Sequence, residues 1–334
     1  MLMSLSQQVI AKSFGSPEVL TLLDLNAPSP RPGQLLVKVA AAGVLFGDTV
    51  RRANRYIVPT ELPYEPGNEV AGTIVEMGKS VFGFEIGDRI LCRVASKGYA
   101  RYAVVDAANA MYLPEEIEFG AGTALLGQGV TAYLLTRHLV ALKGKAIFVE
   151  AAAGGVGIQV VQLARQSGAS VIIGSASTQA KRDFALGVGV DLAVDLSSTD
   201  WVKQMFDATR GKGLDIGYCA SRSTAQELVK SLNEFGTIIH YGVESCAAPL
   251  FESCTRVLHN QRFTKFYLPG YFTPAYTSLL NSAGNSLMKL AISGHLKIHA
   301  DTRYSLQDAA KAHRALEERT NIGKLVIEPW GREA

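Results

Sequence analysis

The chain has 334 residues, 48% of them hydrophobic and 19% charged, with a formal net charge of +3. That length allows two domains of ordinary size, each with its own core, and the composition excludes a low-complexity chain. A charge this small argues neither for nor against nucleic acid, but no basic run is interleaved with aromatics, and no nucleic-acid partner is expected. The pair Arg51–Arg52 reads as a solvated loop or a substrate-side contact.

The amino terminus has no basic region followed by a long apolar core, so no secretory leader is expected. The most apolar window, 146–164, contains Glu150, Gln159 and three glycines, which is not a membrane span. Cysteines 92, 219, 246 and 254 share no recurring spacing, so neither a disulfide framework nor a zinc knuckle is predicted. A reducing, cytoplasmic setting follows as the expectation.

Residues 1 to about 125 read as short strands with frequent turns. Gln34–Val39, Val70–Glu76 and Arg89–Arg93 are strand-like, and Pro30–Gly33, Pro66-Gly67 and Gly87-Asp88 punctuate them. From about 145 the pattern alternates. Ala146–Glu150 is a continuous apolar run of strand length, followed by glycines and the helical segment Ile158–Arg165. Ser170–Gly174, Leu192–Asp195, Leu214–Tyr218 and Gly236–Tyr241 repeat the strand, and Gln179–Leu186 repeats the helix. Strands apolar on both faces belong to a parallel sheet covered by helices on both sides, so this part predicts a doubly wound α/β domain. Pro274–Gly294 and Leu306–Arg319 then read as helices, and Lys324–Glu328 as a last strand returning to the amino-terminal sheet.

The turn after the first α/β strand reads Ala151-Ala-Ala-Gly-Gly-Val-Gly157. With Ala152, Gly154 and Gly157 as its small positions it is a variant of the dinucleotide fingerprint, set between a strand and a helix as that fingerprint requires. Gly155 and Val156 complete the turn. An NAD site places an acid about twenty residues on, for the ribose 2′-hydroxyl. That place here reads Gly174-Ser-Ala-Ser-Thr178, followed by Lys181. The hydroxyls of Ser175 and Ser177 and the Lys181 ammonium suit a 2′-phosphate, so NADPH is the expected cofactor.

With Ala41–Asp48, Pro66–Gly72, Gly87–Ile90, Gly129–Tyr133, Ala152–Gly157, Ala312–Arg319 and Gly323–Val326, the chain resembles the zinc-free quinone oxidoreductase branch of the medium-chain dehydrogenase/reductase superfamily. The resemblance runs nearly end to end. It implies a GroES-like β domain (1–125 and 266–334), a Rossmann domain (126–265) and an active site in the cleft between them. It also implies hydride transfer from NADPH to a small quinone or α,β-unsaturated carbonyl. By resemblance Thr131 stands beside the nicotinamide, Gly242 lets the cofactor pass close to the backbone, and Arg319 joins Lys181 on the phosphate side. The zinc-dependent branch carries Cys and His where this chain has Leu45 and Asn68, so no metal is expected.

Tyr56 matches a tyrosine that resembles the proposed proton donor of related alkene and enoyl reductases; an aromatic wall for the substrate is the other reading. Leu45 departs from the family, which commonly has Asn there, and makes the pocket apolar at that point. Leu196 departs too, where many members have Tyr. Asp48 and Glu69 read as structural carboxylates, and the histidines show no partner spacing. Two alternatives stand beside the main reading. One is an enoyl-thioester reductase of fatty-acid or polyketide type, with Arg51, Arg52 and Arg55 facing a carrier's phosphate. The other is an NADPH-binding protein of low turnover. Arg262–Leu268 reads as an edge strand of the Rossmann sheet, through which two copies would pair as a homodimer.

Overall fold

Two kinds of strand pattern in one chain give two separate sheets. The computed structural model describes residues 5–243, 260–300 and 302–331. Cys246, Cys254 and His259 lie outside the described residues. The chain divides into one unit of residues 1–127 with 284–334 and a second of residues 128–283.

The first unit begins with β1 (Leu5–Ala11) and β2 (Leu20–Asn26), an antiparallel pair. There follow β3 (Gln34–Val44), α1 (Phe46–Arg52), β4 (Glu69–Met77), β5 (Arg89–Arg93), β6 (Tyr102–Asp106), β7 (Ala110–Tyr112) and α2 (Phe119–Ala124). Beyond α2 the helix continues with π geometry over Leu125–Val130, as α3 over Thr131–Tyr133, and with π geometry again over Leu134–His138. The boundary between the units falls inside this stretch.

The second unit continues with β8 (Ala146–Val149), α4 (Gly155–Gln166), β9 (Val171–Ser175), α5 (Gln179–Val188), β10 (Leu192–Val194) and α6 (Trp201–Ala208). It is completed by β11 (Leu214–Cys219), α7 (Arg222–Leu228), β12 (Leu232–His240) and β13 (Arg262–Lys265). The chain then passes through α8 (Thr277–Ile292), within which it rejoins the first unit, to β14 (Thr302–Tyr304), α9 (Ala309–Glu317) and β15 (Leu325–Ile327).

In the first unit the strand order is β14-β15-β3-β4-β5-β7, with β6 also paired to β3. β15 lies antiparallel to β3, Leu325 opposite Val44 and Ile327 opposite Ala42, so the last strand does return to the amino-terminal sheet. Leu35, Val37, Val39, Val70, Ile74, Ile90, Leu306 and Ile327 share its core. Complete burial of each such side chain contributes about 1.5–3 kcal/mol.

Charges are buried in that core as well, each with partners. Lys324 and Glu69 form an ion pair whose side chains are 0% and 2% exposed. The second oxygen of Glu69 accepts the Gly127 N–H at 3.0 Å. A Cβ at Gly43 would lie 2.2 Å from Glu69 Oε1, so glycine there makes room for the pair. Helices α1 and α9 face each other through residues four apart on each. Arg52 pairs with Glu317, while Asp48 and His313 meet through the Tyr99 hydroxyl, 3.2 Å from each. Tyr64 donates to Asp48 at 3.1 Å. Burial pushes the Asp48 carboxyl up to about 6 and holds the His313 imidazole down at about 3, Arg52 adding repulsion to the latter. His313 therefore stays neutral, and Asp48 and Glu69 serve the frame of the fold, as their sequence setting predicts.

The second unit is a six-stranded sheet in the order β10-β9-β8-β11-β12-β13, every pair parallel. All four residues of β8 are buried, as an apolar run covered on both faces requires. The order reverses direction between β8 and β11, the place where doubly wound sheets open a crevice at their carboxyl ends.

Substitution Lys324→Met leaves the Glu69 carboxylate buried without its cation and is expected to cost about 3–5 kcal/mol in chemical denaturation. Adding Glu69→Gln to the same chain is expected to restore most of that loss.

Candidate functional site

The glycine-rich turn is shaped by one left-handed residue and by the side chains it lacks. Ala151 has φ 54, a conformation costly for any residue with a Cβ. Its N–H donates to Ser175 Oγ at 3.2 Å and its carbonyl accepts from Gly154 N–H at 2.8 Å. The Ala152 N–H donates to the Ser175 carbonyl at 2.9 Å. Helix α4 then starts at Gly155, and a Cβ at Gly157 would stand 2.2 Å from the Ala151 oxygen. Only glycine lets the helix begin so close to the strand. A Cβ at Gly174 would likewise come within 2.6 Å of the Ala152 Cβ.

The first turn of α4 has no side-chain cap and no acidic residue. The N–H groups of Gly155, Val156 and Gly157 have no acceptor within the helix, and the helix dipole makes this end partially positive. Such an end favours negative charge beside it.

Beside this turn stands Glu150, which directly follows β8. Its carboxylate accepts the Ala220 N–H at 2.6 Å, the Ser221 N–H at 2.9 Å, the Ser221 hydroxyl at 2.6 Å and the Thr224 hydroxyl at 2.9 Å. These bonds fix the end of β11 and the start of α7 against β8. Residue 242 follows close by: a Cβ there would sit 1.8 Å from the Ala220 oxygen, so the approach that demands glycine is to the chain's own backbone. Sequence reasoning passed over Glu150. Its one signal was an acid closing an otherwise apolar strand.

At the end of β9 the side chains run Ser175, Ala176, Ser177, Thr178. Ser175 is buried and holds the turn through Ala151, whereas Ser177 is exposed. Thr178 caps α5, its hydroxyl accepting from Lys181 N–H at 3.3 Å, which sets the partly buried Lys181 in the first helical turn. The nearby carboxylate of Asp195 is bonded to Arg182 at 2.8 Å, and its acidity is increased by hydrogen bonds from Ser197 and by Arg182. Residues 174–178 themselves carry no acid.

Of the expected site residues, Leu45, Tyr56 and Arg319 belong to the first unit and the remainder to the second. Leu45 precedes α1, its N–H donating to Asp48 Oδ2 at 3.1 Å. The Arg51 guanidinium lies 3.8 Å from the centre of the Tyr56 ring, a cation–π contact that orients the phenol. Arg52, expected on a loop surface, is instead in the last turn of α1, 2% exposed and paired with Glu317. It is unavailable to a ligand because its charge is taken up inside the fold. Asn68 donates to the carbonyls of Val94 and Ala95 at 3.3 and 2.5 Å. Thr131 is buried at the start of α3, between the two π segments. Arg319 follows α9 with φ 54 and is exposed.

Among the described residues no group of three or more His, Cys, Asp or Glu is placed to hold a metal, and no helix is long and apolar enough to cross a membrane.

Two family models match the chain: an alcohol dehydrogenase GroES-like domain over residues 31–136 and a zinc-binding dehydrogenase over residues 188–327. A probable quinone oxidoreductase of Schizosaccharomyces pombe is 34% identical over 94% of this chain and 94% of its own length. The structure of Escherichia coli quinone oxidoreductase complexed with NADPH superposes with a TM-score of 0.89 at 29% identity, covering 97% of this chain and all of that one. A mycobacterial protein, also complexed with NADPH, gives a TM-score of 0.89 at 27% identity, with 98% of this chain covered and all of that one.

The strain at Ala151 is directly measurable. Ala151→Gly removes the left-handed penalty at the expense of some unfolded-state entropy, and is expected to stabilise the protein by up to about 1 kcal/mol, read as a higher melting temperature.

Proposed function

Because the chain belongs to the quinone oxidoreductase branch of the medium-chain dehydrogenase/reductase superfamily, we propose that it is an NADPH-dependent, zinc-independent reductase of quinones and short α,β-unsaturated carbonyls. The observation that carries this reading is the pairing of an anion-binding helix start at Gly155 with a second-strand end that offers Ser177 and Lys181 and no acid. Residues there fit a dinucleotide with a 2′-phosphate: the first turn of α4 carries no acidic residue, and residues 174–178 carry no carboxylate that would repel the phosphate. The NADPH-bound state of two similar structures supports the same choice.

NADPH, when bound, supplies the hydride. The chain's own part is to bind, orient and move a proton. The first-turn N–H groups of α4 take the pyrophosphate, with Ala152 and Gly154 keeping the approach clear. Ser177 and Lys181 take the 2′-phosphate, Ser175 holds the turn that presents it, and Arg319 adds a second phosphate-side cation. Thr131 and Gly242 border the nicotinamide end. Leu45 makes an apolar wall for the acceptor. Tyr56, its ring fixed under Arg51, donates a proton from its hydroxyl to the acceptor as negative charge develops there. Zinc independence rests on the residues at the ligand positions, where a leucine side chain and an amide spent on two carbonyls provide no metal donors.

We also infer a cytoplasmic setting, supported by the free, buried thiols of Cys92 and Cys219, and a homodimer. Among the described residues β13 is the terminal strand of its sheet, an edge that a twofold-related copy would complete. A monomer by light scattering would remove the dimer.

NADPH absorbance followed with a quinone, a short enone and a crotonyl thioester tests the acceptor class. Oxidation with the first two and little with the third is expected, while preference for the thioester would favour enoyl-thioester reduction. Lys181→Glu is expected to weaken NADPH binding at least about tenfold while leaving NADH unchanged, since a like charge at that position opposes the 2′-phosphate, which NADH lacks. Tyr56→Phe is expected to lower enone turnover at least about tenfold with NADPH affinity kept; full turnover would reduce Tyr56 to a pocket wall.

A further inference from the structure

The π turn at Leu125–Val130 sets Gln128 in an unusual place. Such turns carry an extra residue and recur at functional sites. Here the carboxamide of Gln128 lies directly against Gly155, the first residue of α4. A Cβ added at Gly155 would meet Nε2 at 2.2 Å, and Cδ and Oε1 at 2.3 Å. The glycine at 155 is therefore the space that this amide fills.

The amide is not satisfied there. Gln128 Oε1 is buried and has no hydrogen-bond partner among the described residues, which is a costly arrangement for an acceptor. Gln128 as a residue is only partly buried. Beside it is the start of α4, whose first N–H groups have no acceptor within the helix. Helix and amide together offer several donors and one strong acceptor at a single point, a set that suits a phosphate carried next to a hydroxyl.

We propose that Gln128 is a further cofactor-positioning residue, its Nε2 donating to the pyrophosphate and its Oε1 accepting from an adjoining ribose hydroxyl. This rests on the dinucleotide reading above. A purely structural role, in which the amide only covers the end of α4, makes different predictions and can be separated from it.

The test is calorimetric titration of the full-length wild type, Gln128→Glu and Gln128→Met with NADPH and with 2′-AMP, alongside the melting temperature of each chain without ligand. Gln128→Glu keeps the shape but sets a negative charge against the pyrophosphate, so NADPH affinity is expected to fall at least about tenfold. The affinity for 2′-AMP, which has no pyrophosphate, is expected to stay within about twofold, and the ligand-free melting temperature to hold or rise, because a carboxylate suits a helix N-terminus. Gln128→Met, which removes donor and acceptor while keeping length, is expected to weaken NADPH about five- to tenfold by loss of two polar contacts. NADPH binding within twofold of wild type in both variants would overturn the proposal. So would equal losses for NADPH and 2′-AMP together with a lower melting temperature, which mark a structural cover. Failure of the wild type itself to bind NADPH would overturn the dinucleotide reading and this proposal with it.

Discussion

The second unit depends on a missing side chain. With hydrogen at residue 157, helix α4 starts against the Ala151 carbonyl, and the whole carboxyl edge of the sheet is arranged around that contact. The left-handed Ala151 that presents the carbonyl is in turn pinned by the Ser175 hydroxyl, so β8, β9 and α4 meet in three successive hydrogen bonds. Glu150 performs the corresponding task on the other side, tying β11 and α7 to the same strand end. The Glu150 carboxylate is fully occupied by these four donors from its own chain.

The first unit solves a different problem. It buries several charged side chains in pairs: Lys324 with Glu69, Arg52 with Glu317. Such pairs add little net stability over apolar replacements, but a one-sided loss is severe. They also join elements far apart in sequence, so they select one arrangement of α1, α9, β4 and the last strand over its neighbours. Leu45 and Asn68 are absorbed into this frame: Leu45 gives its N–H to Asp48, and Asn68 its amide to two carbonyls.

What could be read in the sequence was whatever is local. Apolar runs of strand length marked β8, β9 and β11 to within a residue or two, and the turn Ala152–Gly157 was visible because its chemistry depends on six consecutive positions. Glu150 was not, because its partners lie 70 to 74 residues away. Arg52 looked like a surface arginine for the same reason: Glu317 stands 265 residues further on. The two π segments also escaped, since one extra residue per turn blurs the helical period without replacing it with another. The charges and insertions that local pattern could not place are also those that give the two units their individual character.

The pairing of β15 with β3 has a consequence for how the chain comes into being. Strands from the two ends of the polypeptide complete one sheet, whereas the second unit is drawn from a continuous stretch between them. During synthesis the second unit has all of its residues before the first one does, and β3 must wait, with an open edge, for the last few dozen residues to leave the ribosome. Contacts so distant in sequence form slowly, and an unpaired edge is exposed to aggregation meanwhile. The nascent chain is thus most vulnerable not at its second unit but at the amino-terminal sheet that was made first.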